Sequence, residues 1–313
     1  MNVSSFLYQG TQILDDRLVA LGQAGALLRP VIVGAGSREA VETAVLASDA
    51  GIAEAILVGK PEEYHDIAAQ LGIAPERFAF VPALDEASMI TQACGMVNRG
   101  EADCLVKGQI HTDVYMRGVF SKQDGVRDSA GGRIVHVFVL FPPTGGKPIL
   151  LSDGAVNPIP DMRTKQQSVV SCIALAHALG ISEPKVSVLS ATESVIPSVP
   201  SSEQAAELVA WAETQDFQAK FAGPLALDGA IAPEAAAIKG LMHNGIAGES
   251  DILIVPDLVS GNVLFKSFVW LGGALAAGVV LGAKVPIILT SRADPPKARL
   301  ASMILAKLMT QNT

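Results

Sequence analysis

Residues 284–297, KVPIILTSRADPPK, bring together side chains able to bind an anion and act on it. Residues 285–290 are a short apolar run with β-branched members, which predicts a buried parallel strand. Asp294, Pro295 and Pro296 then read as a helix start: a capping carboxylate, followed by prolines whose missing N–H costs nothing there, ahead of a periodic run at 298–308. Ser291 and Arg292 therefore fall at the carboxyl end of a strand, just before a helix N-terminus. Open α/β sheets bind ligands at that place, and the unpaired N–H groups of a helix start favour anions. A guanidinium and a hydroxyl there suit a phosphate or an acyl phosphate; the same residues also suit a plain surface turn capped by Asp294.

A second joint of this kind is residues 106–112, VKGQIHT, with Lys107, a flexible Gly108, and His111 or Thr112 near the cap. Anion binding and an ordinary capped turn are both compatible with it. Arg117, Lys122, Arg127 and Arg133 follow, so that with Lys107 several cations crowd one segment of an acidic protein; they could hold nucleotide phosphates or stand as solvated charges. Asp153 and Asn157, in SDGAVNP, are small polar groups at a strand edge, placed to hydrogen-bond a substrate or to shape a turn, which Pro158 and Pro160 favour. Asp257 and Asn262, in VPDLVSGNVLFK, pose the same choice. Gly34 and Gly36 follow a strand, but the third glycine of a dinucleotide fingerprint falls on Glu39, so the segment reads as a tight strand-to-helix turn. His136 and His177 lie in apolar runs and read as satisfied core residues. The histidines share no metal-ligand spacing, and no GxSxG elbow supports a hydrolase.

The elements that must position these residues alternate. Strands are expected at 31–33, 55–58, 78–81 and 104–106, with helices at 12–28, 39–50, 61–71 and 85–98, which makes right-handed βαβ units and a doubly wound parallel sheet. After a polar stretch at 118–132 the rhythm changes. Residues 133–141 and 147–152, joined by PPTGG, predict an antiparallel hairpin; a long helix at 161–179, a strand at 186–189, helices near 203–214 and 233–242, and a strand at 252–255 follow. Residues 267–283 are uncharged but fall short of the roughly 20 residues that a membrane span wants, so a buried helix followed by a buried strand is expected. The organisation is then two α/β domains, the first from 1–132 with 284–313 returning to its sheet, the second from 133–283, with Ser291 and Arg292 on one wall of a cleft between them.

Composition narrows the class. Of 313 residues, 50% are hydrophobic, 17% charged and only 5% aromatic, with 29 glycines, as suits close packing of helices on a sheet. A net charge of −8 argues against a nucleic-acid surface. Three cysteines without CxxC spacing support neither disulfides nor a zinc site and fit a reduced cytoplasm. No signal peptide is expected at the N-terminus.

Taken together, residues 102–112 (ADCLVKGQIHT), 152–158 (SDGAVNP), 176–180 (AHALG), 223–230 (GPLALDGA), 255–266 (VPDLVSGNVLFK) and 278–294 (GVVLGAKVPIILTSRAD) resemble the phosphate acetyltransferase and phosphate butyryltransferase family. The SRAD and GPLALD segments look more like the butyryltransferase branch. The resemblance implies a two-domain fold like that of the isocitrate and isopropylmalate dehydrogenases, catalysis in the interdomain cleft, and a homodimer or larger assembly. It implies reversible conversion of acyl-CoA and inorganic phosphate into acyl phosphate and free CoA, with a butyryl or acetyl group and no metal or redox cofactor. By position, Ser291 resembles the family serine near the thiol and reacting carbonyl, and Arg292 the arginine that holds the phosphoryl group. Arg117 and Arg133 fall near family arginines that contact phosphate or CoA; Lys107, Gly108 and His111 match the loop lining the cleft; Asn262 and Lys266 match a family motif. The chain departs from the family at one place. Acetyltransferases carry an aspartate, the proposed thiol base, in the helix after the Ser-Arg pair, where this chain has Ala298. Asp294 is the nearest carboxylate, and a capping role would turn it toward backbone N–H groups. A non-catalytic CoA or acyl-phosphate binding protein and a decarboxylating dehydrogenase are the alternative readings; the dehydrogenase needs a metal-binding aspartate set and a nicotinamide site that cannot be assigned.

Overall fold

The computed structural model describes residues 6–128, 131–242, 245–289 and 294–311. Elements alternate from the start: α1 (Asp16–Gln23), β1 (Pro30–Val33), α2 (Arg38–Asp49), β2 (Ile56–Gly59), α3 (Pro61–Leu71), β3 (Ala79–Pro82), α4 (Glu86–Asn98), β4 (Cys104–Lys107) and α5 (Thr112–Val119). There follow β5 (Val135–Phe141), β6 (Ile149–Ser152), α6 (Met162–Ala178), β7 (Lys185–Leu189), α7 (Pro200–Glu213), β8 (Lys220–Leu225), α8 (Leu227–Ile231), α9 (Pro233–Ile238), β9 (Ile252–Ile254) and α10 (Leu258–Trp270). The chain closes with β10 (Leu275–Leu281), β11 (Ile287–Leu289) and α11 (Pro296–Gln311). The contacts divide it into two compact units, one of Leu14–Gly132 with Ala277–Thr313, the other of Met1–Ile13 with Arg133–Ala276.

In the unit that holds α1 to α5, the strand order is β3-β2-β1-β4-β11-β10. All pairings are parallel except β10 with β11. The chain winds outward from β1 through β2 to β3, then crosses to β4 on the other side of β1, so the order reverses between β1 and β4. Val31, Ile32, Leu57, Leu105, Val106, Ile287 and Ile288 are buried in this sheet, each worth about 1.5 to 3 kcal/mol relative to exposure. Helix starts are set by sequence. The Asp15 carboxylate accepts from Arg17 N at 2.8 Å, Ser37 Oγ from Ala40 N, and Asp85 and Ser88 form a reciprocal capping box.

The second unit orders its strands β5-β6-β9-β7-β8. The expected hairpin is present, with β5 antiparallel to β6 and a turn closed by Gly145 N to Pro142 O at 3.1 Å. The other pairings, β6 with β9, β9 with β7 and β7 with β8, are parallel. Asp161 caps α6 and Asp257 caps α10 through their carboxylates.

Three expectations need correcting. The first helix is shorter than residues 12–28, because the Asp15 cap begins it and Gly25, at φ 71°, lies just past its end. In 267–283 the helix is the tail of α10, ended at Gly272 and Gly273, and β10 supplies the strand. His177 is exposed on α6, its Nε2 3.1 Å from the Gln218 carbonyl; it is no core residue.

Candidate active site

The carboxyl edge of β1, β4 and β11 carries the first group of residues singled out by sequence. Leu289, the last residue of β11, is in register with Lys107, the last of β4, and Lys107 with Val33 at the end of β1. Three strand-to-helix joints thus leave the sheet side by side. Lys107 is half-buried, its Nζ 3.4 Å from the Gly108 carbonyl. Gly108 N donates to Val33 O at 2.9 Å and Gln109 N to Gly34 O at 2.8 Å, which locks the joint after β4 onto the joint after β1. A Cβ on Gly108 would stand 2.4 Å from Gly34 O, and one on Gly34, at φ 86°, 2.5 Å from Gln109 O. Only glycine fits either position. The crevice where the strand order reverses is therefore filled by the protein's own backbone, and a Cβ on Gly36 would lie 2.1 Å from the Glu63 carboxylate, a poor neighbour for a pyrophosphate.

Beyond the joint after β4, His111 occupies the N-cap position of α5 without a side-chain cap. Its backbone N–H and its Nδ1 both reach Glu86 Oε1, at 3.1 and 2.8 Å, and its side chain is 80% exposed. Arg117, on the same helix, faces Asp113 at 3.5 Å and is exposed. Thr290, Ser291, Arg292 and Ala293 lie outside the described residues. Asp294 is described: its carbonyl accepts from Arg299 Nη1 at 2.9 Å. The helix begins at Pro296, and the Pro295 carbonyl takes the first N–H groups, from Ala298 at 2.9 Å and Arg299 at 3.2 Å. Pro295 thus holds the N-cap position expected for Asp294. The first turn of this long helix carries no acid, so its positive end is not neutralised from within that turn. Ala298 is buried there and offers no proton acceptor.

The second unit holds the other group, Arg133, Asp153, Asn157 and Asn262. Asp153 is buried beyond the end of β6, and its carboxylate is fully engaged. Oδ1 accepts from Ala155 N and Val156 N, both at 2.9 Å; Oδ2 accepts from Asn157 Nδ2 at 2.6 Å and His136 N at 3.2 Å. Asn157 Nδ2 also donates to Ile134 O at 2.8 Å, and Asn262 Nδ2, from α10, to Gly154 O at 3.1 Å. Gly261 permits that approach, since a Cβ would meet Asp153 O at 2.4 Å. The structure thus brings Asp153, Asn157 and Asn262 together as the frame of one loop. Arg133 stands on the surface, paired with Asp161 at 3.1 Å; hydrogen bonds from Thr164, helped by Arg133, hold the Asp161 carboxyl below its usual range.

His136 is in the core, as the sequence suggested, buried against Phe138 with ring centroids 4.2 Å apart, but it is not the satisfied residue expected: its Nδ1 has no partner among the described residues. Burial lowers its pKa to about 4, against the pull of the Asp153 charge. Sequence reasoning missed a cavity of about 760 Å³ at the ends of β7 and β9, with Leu189, Val255, Val263 and Leu264 as apolar walls and Ser190 and Ser260 as polar points. Among the described residues there is no group of three acidic, His or Cys side chains placed to hold a metal ion, and no helix is long and apolar enough to cross a membrane.

Comparison with known proteins was made against this geometry. Residues 83–306 match the family described as phosphate acetyl/butaryl transferase. A phosphate acetyltransferase of Rhizobium meliloti is 38% identical over 294 residues, 94% of this chain and 92% of that one. A phosphate butyryltransferase of Clostridium acetobutylicum is 33% identical over 287 residues, 91% and 94% of the two chains. Among solved structures, a branched-chain phosphotransacylase from Enterococcus faecalis superposes with a TM-score of 0.80 at 30% identity, covering 91% of this chain and 99% of its own.

Proposed function

Because the chain belongs to the phosphate acetyl/butaryl transferase family and is an acyltransferase, we propose that it transfers a short-chain acyl group, butyryl or acetyl, between CoA and inorganic phosphate at the carboxyl edge of β4 and β11. The observation that carries this reading is the register of Leu289 with Lys107. It sets a lysine beside the strand end from which the Ser291-Arg292 pair follows in sequence, ahead of a helix whose first turn has no acid. Anionic groups are favoured at such a helix start.

In this reading a phosphate oxygen attacks the thioester carbonyl carbon. The C–O bond forms, the C–S bond breaks, and acyl phosphate and CoA result. The proton lost by hydrogen phosphate is the one taken up by the leaving thiolate, so no other reactant is needed. Arg292 holds the phosphoryl oxygens and offsets charge in the transition state, Ser291 hydrogen-bonds at the carbonyl and thiol, and Lys107 adds positive charge. A thiol with a pKa of about 8.5 leaves readily as thiolate, so a strong general acid is not required. Asp294 stands as the nearest carboxylate for proton movement. Gly108 supports the site by letting the two joints interlock; Arg117 and Arg133 supply positive charge to the CoA phosphates once released from Asp113 and Asp161, His111 lines the joint after β4 as a hydrogen-bonding side chain, and Asp153, Asn157 and Asn262 frame their loop. The proposal includes the two-domain, dehydrogenase-like arrangement, no metal or redox cofactor, a cytoplasmic setting supported by buried free cysteines, and a homodimer or larger assembly.

Replacing Arg292→Gln tests it. Phosphate-dependent release of free CoA thiol should fall about 10²- to 10³-fold while circular dichroism stays that of the wild type. Unchanged turnover would remove Arg292 from the site.

A further inference from the structure

Moving a proton is the task for which the start of α11 is least equipped. Its first turn carries no acid, and Ala298 is buried there without an acceptor. The joint after β4, on the neighbouring strand, does carry one. His111 stands at the N-cap position of α5 but makes no capping bond with its side chain. Its backbone N–H donates to Glu86 Oε1 at 3.1 Å, and its Nδ1 lies 2.8 Å from the same oxygen. An ionised carboxylate only accepts, so the ring proton sits on Nδ1. Nε2 keeps its lone pair, makes no hydrogen bond among the described residues, and belongs to a side chain that is 80% exposed.

A structural tie does not need the ring. The backbone N–H already fastens this joint to Glu86, and the joint is held without either bond. Gly108 N and Gln109 N donate to Val33 O and Gly34 O, Ile110 N donates to Gly108 O at 3.1 Å, and the Ile110 side chain is buried. What the ring bond adds is orientation and a fixed tautomer, the arrangement by which a carboxylate prepares an imidazole to take a proton. The lone pair stands in the same joint as Lys107, whose strand end is in register with Leu289, at the edge assigned to the acyl transfer.

We propose that His111 is a catalytic residue of this chain, carrying a proton between phosphate and sulfur, and that Glu86 is its positioning residue. The inference rests on the phosphate acyltransferase reading and adds to it the group that moves the proton. As a phosphate oxygen bonds to the thioester carbon, the proton of hydrogen phosphate passes to Nε2. As the C–S bond breaks, the imidazolium gives that proton to the thiolate. The ring ends as it began, and the reverse reaction follows the same path from the thiol.

The test uses the full chain with His111→Gln, His111→Ala and Glu86→Gln, each checked by circular dichroism and thermal melt and assayed for phosphate-dependent thiol release from butyryl-CoA. His111→Gln keeps an amide able to donate to Glu86 but carries no proton; its kcat should fall about 10²-fold with KM for butyryl-CoA and for phosphate little changed. His111→Ala should fall as far, and free imidazole, which has access to so exposed a position, should restore its turnover in proportion to concentration while leaving the wild type unaffected. In Glu86→Gln an amide N–H can face Nδ1 and send the ring proton to Nε2, so kcat should fall by a smaller factor. A folded His111→Gln with wild-type kcat, or a His111→Ala enzyme that imidazole does not revive, would overturn the proposal and leave the acyltransferase reading standing. Should neither His111 variant fold, Glu86→Gln decides, and wild-type kcat in it overturns the proposal. A wild type that releases no thiol with phosphate would overturn the underlying reading, and the role of His111 with it.

Discussion

Mild acid should loosen this fold through one histidine. His136 is buried on β5, and its pKa falls from 6.5 to about 4 because burial disfavours the imidazolium. The unfolded chain takes a proton at about 6.5 that the folded chain refuses until about 4. Above pH 6.5 the neutral ring contributes its full stability; as pH falls from 6.5 toward 4, that contribution is lost. The whole window is worth about 3 kcal/mol, of which about 2 kcal/mol is gone by pH 5. The other shifted groups among the described residues act elsewhere. Asp85 and Asp161, whose pKa values are lowered by hydrogen bonds around Ser88 and Thr164, lose their contribution only below about pH 4. Lys165 and Lys307, lowered by burial, act in the alkaline range. Urea denaturation at about pH 7.5 and pH 5, for the wild type, His136→Phe and His136→Gln, isolates the effect. The wild type should lose about 2 kcal/mol more than either variant across that interval. An equal loss in all three would refute the assignment of acid sensitivity to the buried ring.

Gly108→Ala would place a methyl 2.4 Å from Gly34 O and 2.8 Å from Val33 O, both backbone atoms, so the ends of β1 and β4 must part. The cost should be about 1 to 3 kcal/mol by thermal melt, with phosphate-dependent turnover reduced at least tenfold. Asp153→Asn turns an amide toward Asn157 Nδ2 and His136 N, orphaning two donors. It should cost about 2 to 4 kcal/mol in denaturant titration, and a melt like the wild type's would show that the carboxylate does not frame the loop.

The fold was legible where apolar runs alternate with capped helices. Val31 to Val33 and Asp85 with Ser88 announce their elements by type and spacing alone. The strand β8 was hidden, because Lys220 opens it and Gly223 and Pro224 interrupt the pattern that a strand should show. The candidate site was only half legible. The strand-end position of Lys107 follows from the apolar run before it, but its neighbour Leu289 lies far along the chain and only sheet pairing brings them together. Likewise His111 reads as a residue near a helix cap and Arg133 as a cation available to a ligand, while Glu86 and Asp161, 25 and 28 positions away, are tertiary partners with no local signal. For Asp153 and Asn157 the sequence left substrate binding and turn shaping open; the hydrogen bonds show turn shaping.

The central claim is that the acyl group moves from sulfur to a phosphate oxygen. Following butyryl-CoA and inorganic phosphate with the enzyme by ³¹P NMR, with thiol titrated in parallel, tests it most directly. The account predicts an acyl phosphate resonance that grows in equal amount with free thiol and reverses when CoA is added. Thiol release without acyl phosphate, or at the same rate without phosphate, would show hydrolysis and contradict it.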